Sequence, residues 1–319
     1  MSTVVLLLVT GLGLGALYFL VASGLSLIYG LMGVLNFAHG VFLSLGAFVG
    51  WEVARRLDPG SWTGFVLAMV VGALAGAALA ALTELLLIRP LYNRHIEQVL
   101  VTVGLGLVGV ALFEGVWGTD AVFISGPAWL DRTTSIAGAR VSNTNFLAIA
   151  VAVAVLVALV LFLRHTRYGL VIRAGVENRS MVTALGIDVR RSFTLVFSIG
   201  GAAAGLGGVL ASQYNGYVSA HLGQTLLIFA FIVTVIGGLG SLGGAAVAAV
   251  VVAVPQQLAN YYWGYGDLIA VLALAVVLLV RPTGLILTTD ARPSDGAPPP
   301  QTEARLLEGA HPGPPPALS

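Results

Sequence analysis

Cysteine and lysine are absent from all 319 residues, and charged residues of every kind make up only 9% of the chain. Without cysteine there is neither a disulfide nor a thiolate metal site. Without lysine there is no phosphate-loop lysine, so the chain does not hydrolyse ATP by that route, and no retinal-type Schiff base can form. A soluble domain carries roughly a quarter charged residues to keep its surface hydrated. With 58% hydrophobic residues and a mean hydropathy of +0.96, this chain cannot cover a water-facing surface, whereas lipid tails require no such cover. The composition specifies an integral membrane protein. Its apolar runs of about 20 residues, each able to cross a core of about 30 Å, specify spanning helices rather than barrel strands.

The expected fold is all-α: a polytopic helical membrane protein with eight to nine spans, some short or broken. Hydropathy and helix breakers place them near 4–29, 35–54, 62–88, 98–118, 144–163, 193–213, 223–238, 243–260 and 266–280. The apolar N-terminus lacks a positive leader, with no arginine before Arg55, and reads as a retained first span. Residues 1–287 form the membrane domain. Residues 288–319 hold eight of the 13 prolines without apolar periodicity and read as a disordered tail.

All 15 basic residues are arginine, and six of them (Arg164, Arg167, Arg173, Arg179, Arg190 and Arg191) crowd the loop 164–191. The positive-inside rule makes that loop cytoplasmic. With nine crossings the N-terminus is then outside and the C-terminus inside, and Trp51, Trp62, Trp117, Trp129 and Trp263 all fall toward the outer face. Arg55 and Arg56 go against the rule, softened by Glu52 and Asp58.

Forty-one glycines require a reason. "GALAGAALAAL" (72–82) and "GGAAAGLGGVLAS" (200–212) set small residues three and four apart, which lets helix backbones approach where lipid supplies no hydrophobic drive. "GGLGSLGG" differs. Gly237, Gly238, Gly240, Gly243 and Gly244 around Ser241 each cost about 1 kcal/mol relative to alanine and predict a helix break. Broken segments in transporters often mark the translocation region. "YGLMGVLNFAHG" interrupts an early apolar run in a similar way, with glycines at 30, 33 and 40, and suggests an internal repeat.

Asn36 and His39 stand in that early interruption. At a spacing of three they would share one helix face, and polar groups there must meet protein or water. Two readings stay open: hydrogen bonds that fix packing, or a lining for the path of a zwitterionic solute. Metal ligation needs more partners than one histidine. Gln256, Gln257 and Asn260 are further path candidates, after a proline, Pro255, expected to break its helix. Glu84, Glu114 and Asp267 lie near span ends and read as water-accessible. Tyr214 and Asn215 fall at an outer mouth. In the arginine-rich loop, residues 178–185 could form two helical turns with Met181, Ala184 and Leu185 on one face and Gly186 as the stop. Such a helix lies on anionic lipid or docks in a partner's groove.

Three stretches, "GLSLIYGLMGVLNFAHGVFLSLGAF", "RAGVENRSMVTALGIDVRRSFTLVFSIGGAAAGLGGVL" and "GGLGSLGG…LVRPTGLI", closely resemble the shorter permease subunit of branched-chain amino-acid ABC importers, over residues 10–287 in order. The resemblance implies a non-catalytic subunit of an ATP-driven importer in a bacterial inner membrane. Its partners would be a second permease, two cytoplasmic ATPases and an extracytoplasmic solute-binding protein, with no cofactor and no nucleic acid. It implies that the loop around Arg173, Ala174, Glu177, Met181, Ala184, Leu185, Gly186 and Ile187 docks on the ATPase. Close relatives take urea or short amides, so those solutes stay open beside aliphatic amino acids. An ion-coupled secondary transporter lacks a mid-membrane acid. An intramembrane enzyme lacks cysteine, an HExxH motif and a serine paired with a mid-span histidine.

Overall fold

The computed structural model describes residues 2–33, 35–92, 94–124, 126–177 and 189–281. Among these, ten α-helices account for most of the chain: α1 (Ser2–Met32), α2 (His39–Leu57), α3 (Trp62–Thr83), α4 (His95–Trp117), α5 (Asn143–His165), α6 (Arg167–Glu177), α7 (Val189–Asn215), α8 (Leu222–Gly237), α9 (Leu242–Trp263) and α10 (Gly266–Val280). Six helical stretches are long and apolar enough to cross a membrane, and α8 and α10 are shorter apolar helices. α2 is 19 residues long and carries Glu52, Arg55 and Arg56 near its end. The nine expected spans all correspond to helices. The expected tail and the expected turns at 178–185 lie outside the described residues. α6 was not anticipated; it begins where Thr166 caps the N–H of Gly169 at 3.0 Å.

α1 forms the axis. From Gly15 to Ile28 every residue is buried, and an all-round apolar helix belongs in a core. It packs against α5, α7, α8 and α9, while α7 packs against α2 and α3. The two small-residue faces read from the sequence meet each other: a Cβ on Gly76 would lie 2.3 Å from the carbonyl oxygen of Gly201. α4 instead exposes Ile96, Leu100, Leu107, Leu112 and Val116, an apolar surface suited to lipid.

Two short ribbons close one end of the bundle, β1 (Val122–Phe123) with β4 (Tyr217–Val218) and β2 (Thr133–Ile136) with β3 (Ala139–Ser142). Tryptophans gather at this end. Trp51 donates to the Phe123 carbonyl at 3.0 Å, Trp62 lies 5.9 Å from Trp129, and Trp117 stacks 4.8 Å from Phe48. Arg55 and Arg56 are here too, both paired with Glu52, with the Arg55 guanidinium 4.9 Å from the Trp51 ring centre. The two arginines share one carboxylate, so their charge is partly offset locally.

Two corrections concern helix limits. α9 runs without interruption through Pro255, because neighbouring helices in a membrane bundle tolerate the lost hydrogen bond. The glycine-rich break is shorter than its composition suggests: Gly237 ends α8, Gly243 and Gly244 lie in the first turn of α9, and only residues 238–241 leave the helix. Ser241 caps α9 by accepting from the Gly244 N–H at 3.0 Å, which is enough to restart a helix even at glycine.

Candidate functional site

Asn36 and His39 do not share a helix face. Residues 33 and 35–38 leave the helix, starting at Gly33 with a φ of +64°, and α2 starts only at His39. The side chain of Asn36 folds forward, its Oδ1 accepting from the Ala38 N–H at 3.0 Å. It thereby satisfies one of the donors that a helix start leaves open. His39 Nε2 lies 3.0 Å from the Val21 carbonyl, which can only accept, so Nε2 carries the proton. Val21 is 11 residues from the end of α1, about 16 Å at 1.5 Å per residue. α2 therefore begins inside the bundle.

α8 does the same from the opposite direction. After α7 ends, residues 216–221 run back without helix, and α8 starts at Leu222 beside the start of α2. The contact is between two glycines: a Cβ on Gly223 would lie 1.9 Å from the Gly40 carbonyl oxygen, and a Cβ on Gly40 would lie 2.7 Å from that of Gly223. Ser44, one turn into α2, accepts from the Gly223 N–H at 3.0 Å and donates to the Ala220 carbonyl at 3.1 Å. Two helix N-termini thus face each other in the interior. Each carries a partial positive charge from its aligned peptide dipoles, and together they favour an anionic group.

Beside this junction is a recess of about 150 Å³ lined by Leu25, Leu35, Asn36, Phe37, Leu227, Ile228 and Phe231. Its exposed wall is apolar. The Phe37 and Phe231 rings stack at 6.4 Å. It opens on the side of the bundle where Ile228 is 59% and Phe37 36% exposed. Asn36, 1% exposed, forms its edge, and its Nδ2 is buried without a hydrogen-bond partner, as is Nδ1 of His39. A buried unpaired amide donor is costly and calls for an explanation.

The two interrupted segments touch. A Cβ on Gly30 would lie 2.9 Å from the Cα of Gly240, which adopts a φ of +86°. The other path candidates lie elsewhere. Gln256 is buried but donates to Asp267 of α10 at 3.0 Å, Gln257 is half-buried and Asn260 exposed, and none of them lines the recess. Asp267 is exposed and Glu114 lies 3.6 Å from His221, as expected of acids near water. Glu84 is the exception: it is fully buried and accepts from the Tyr92 and Thr194 hydroxyls. Arg173, Ala174 and Glu177 fall on α6, whereas Met181, Ala184, Leu185, Gly186 and Ile187 lie outside the described residues.

Sequence reasoning missed Ser44, Gly223 and the wall formed by Leu227, Ile228 and Phe231. A serine within an apolar helix and a glycine at a helix start are too common to single out. Their meaning comes from a contact across about 180 residues of chain.

Residues 7–281 match the family described as branched-chain amino acid transport system / permease component. The chain is 29% identical over 290 residues to the high-affinity branched-chain amino acid transport system permease protein LivH of Salmonella typhimurium, covering 86% of this chain and 93% of that protein. It is 28% identical over 299 residues to the corresponding protein BraD of Pseudomonas aeruginosa, covering 88% and 94%. It is 25% identical over 293 residues to LivM of Escherichia coli, named as a permease of the same kind of system, covering 85% and 68%. No solved structure matches.

Proposed function

The chain belongs to the branched-chain amino acid transport permease family, and on that premise we propose that it moves an aliphatic amino acid through the junction of α2 and α8 as one subunit of an ATP-driven importer. The observation that carries the solute class is the recess. Apolar cavities of about 150 Å³ stay dry and admit a benzene-sized hydrocarbon, so a branched side chain fits there. The solute's carboxylate is drawn to the facing helix N-termini, with the Asn36 amide as a donor and His39 beside it. Urea or a short amide would leave the apolar wall unused. Gln256, Gln257 and Asn260 lie outside this inner site and would serve the path only nearer the Trp263 end of α9.

The recess is open at the flank of the bundle, and a zwitterion held there would face hydrocarbon unless protein covered it. This supports a second permease on that face, and the matches to both LivH and LivM fit such a pair. Energy then comes from two ATPases docking at residues 173–187, and solute from an extracytoplasmic binding protein, which makes this subunit non-catalytic. The loop 164–191 is on the cytoplasmic side of a bacterial inner membrane, with the N-terminus outside and the C-terminus inside. An ion-coupled transporter is disfavoured because the one buried acid among the described residues, Glu84, follows the 22 residues of α3, about 33 Å from its start. That is the end of the bundle, not its middle.

The test is reconstitution. Labelled leucine is expected to enter proteoliposomes only when this chain, its partner permease, the ATPases, the binding protein and ATP are all present. Ala184→Glu is expected to leave ATP hydrolysis running while uptake stops. Uphill uptake by this chain alone, or import of urea in place of leucine, would overturn the proposal.

A further inference from the structure

Of the acidic residues whose burial is described, only Glu84 is buried, at 0% exposure. A carboxylate in such a place is retained only where donors compensate for its lost water. Here two hydroxyls do so: Thr194 of α7 donates at 2.6 Å, and Tyr92, in the connection to α4, also donates. The backbone changes at the same place. α3 passes into a π-helical turn over Glu84–Ile88, in which the Arg89 N–H reaches back to the Glu84 carbonyl, and then into a 3-10 turn over Arg89–Leu91. A π turn shifts the side-chain register of the helix it interrupts and is frequent at functional positions.

The contacts converge on one point of α7. Thr194 is held by Glu84, and the adjacent Phe193, 2% exposed, packs edge-on to Tyr92 at 5.2 Å. Both residues lie in the first two turns of α7, directly after the arginine-rich loop. From there α7 runs to Gly205, which lies against Gly46 of α2 and Gly72 and Gly76 of α3. Packed helices of this kind move as units rather than deform, so a displacement at the start of α7 is carried to α2 and its interior N-terminus.

We infer that Glu84, Tyr92 and Thr194 form the joint that passes movement of the loop ahead of α7 into the membrane bundle. The inference rests on the reading of that loop as the ATPase docking element. All three are positioning residues: none touches the recess, and the joint works by holding α7 to the end of α3.

The experiment uses the complete importer in proteoliposomes and measures ATP hydrolysed per leucine imported. Thr194→Val removes the hydroxyl at constant shape, and Tyr92→Phe keeps the ring against Phe193 while removing its hydroxyl. Each variant is expected to hydrolyse ATP within about twofold of the parent while importing about tenfold less, the scale of one hydrogen bond to a charged group. Thr194→Ser, which restores the donor, is expected to recover the parental ratio. An unchanged ratio in both hydroxyl-free variants, or hydrolysis and import falling in equal proportion, would overturn the joint. A parental complex that hydrolyses ATP but imports no aliphatic amino acid would instead remove the function itself, and the inference with it.

Discussion

Ser44 Oγ takes the Gly223 N–H at 3.0 Å and gives its own proton to the Ala220 carbonyl at 3.1 Å. One hydroxyl on α2 thus serves both the donor and the acceptor left over where the chain turns from extended to helical inside the bundle. Ser44→Ala would orphan two buried backbone groups at once, at a cost of about 1–3 kcal/mol for each group. The variant is expected to unfold at a clearly lower temperature in detergent and to lose uptake. Unchanged thermal stability would argue against the bridge.

The glycine contact makes a sharper demand. A Cβ at Gly223 has only 1.9 Å to the Gly40 carbonyl oxygen, which is backbone and cannot swing aside, and 2.6 Å to Ser44 Oγ. Gly223→Ala is expected to separate α2 from α8 and abolish transport, even in molecules that reach the membrane. Gly104→Ala on α4 is the control, because a Cβ there meets no described atom within 4 Å. It is expected to be neutral or to stabilise by up to about 1 kcal/mol through helix propensity, as read by thermal unfolding.

Asn36 has two separable roles. Asn36→Ala loses the acceptor for the Ala38 N–H and is expected to cost about 1 kcal/mol of stability. Asn36→Asp keeps that acceptor but replaces the free amide donor with a negative oxygen. It is expected to cost some stability, since a buried carboxylate there has only the helix N-termini to offset its lost water, and in folded molecules to raise the KM for leucine steeply, because a like charge meets the solute's carboxylate. Should Asn36→Asp transport with parental KM, the carboxylate is held elsewhere.

The recess predicts a solute preference. Ile228→Trp places a large ring in the opening and is expected to reduce leucine uptake about tenfold or more while leaving alanine uptake less affected, since a pocket that loses one or two methylene sites discriminates on that scale. Competition between labelled leucine and unlabelled alanine in the assembled importer reads this directly. Equal loss for both solutes would mean that the substitution damages the bundle rather than the pocket.

The membrane character and the positions of the apolar helices were legible because both are local. A run of about 20 apolar residues declares itself without reference to any partner, and caps such as Ser61, Ser142 and Ser241 lie next to the turns they satisfy. The family was legible for the same reason, in short contiguous motifs. The Asn36–His39 stretch was recognisable as an interruption, but its geometry was misjudged. Helical spacing assumed a helix that starts at residue 35, and the regular helix starts only at His39, after a turn at 37–38.

Glu84 shows why the remainder was hidden. In the sequence it is an acid at the end of an apolar run, which normally means contact with water; in the fold two hydroxyls, one 110 residues away, enclose it. The same holds for Gly40 and Gly223, which are ordinary residues until they meet. The sequence by itself determined which segments enter the bilayer, because transfer into hydrocarbon is a sum over neighbouring side chains. Only the tertiary structure decided where two of those segments stop halfway and which polar groups meet there, because a buried hydrogen bond or a backbone contact depends on a partner that the local chain does not contain.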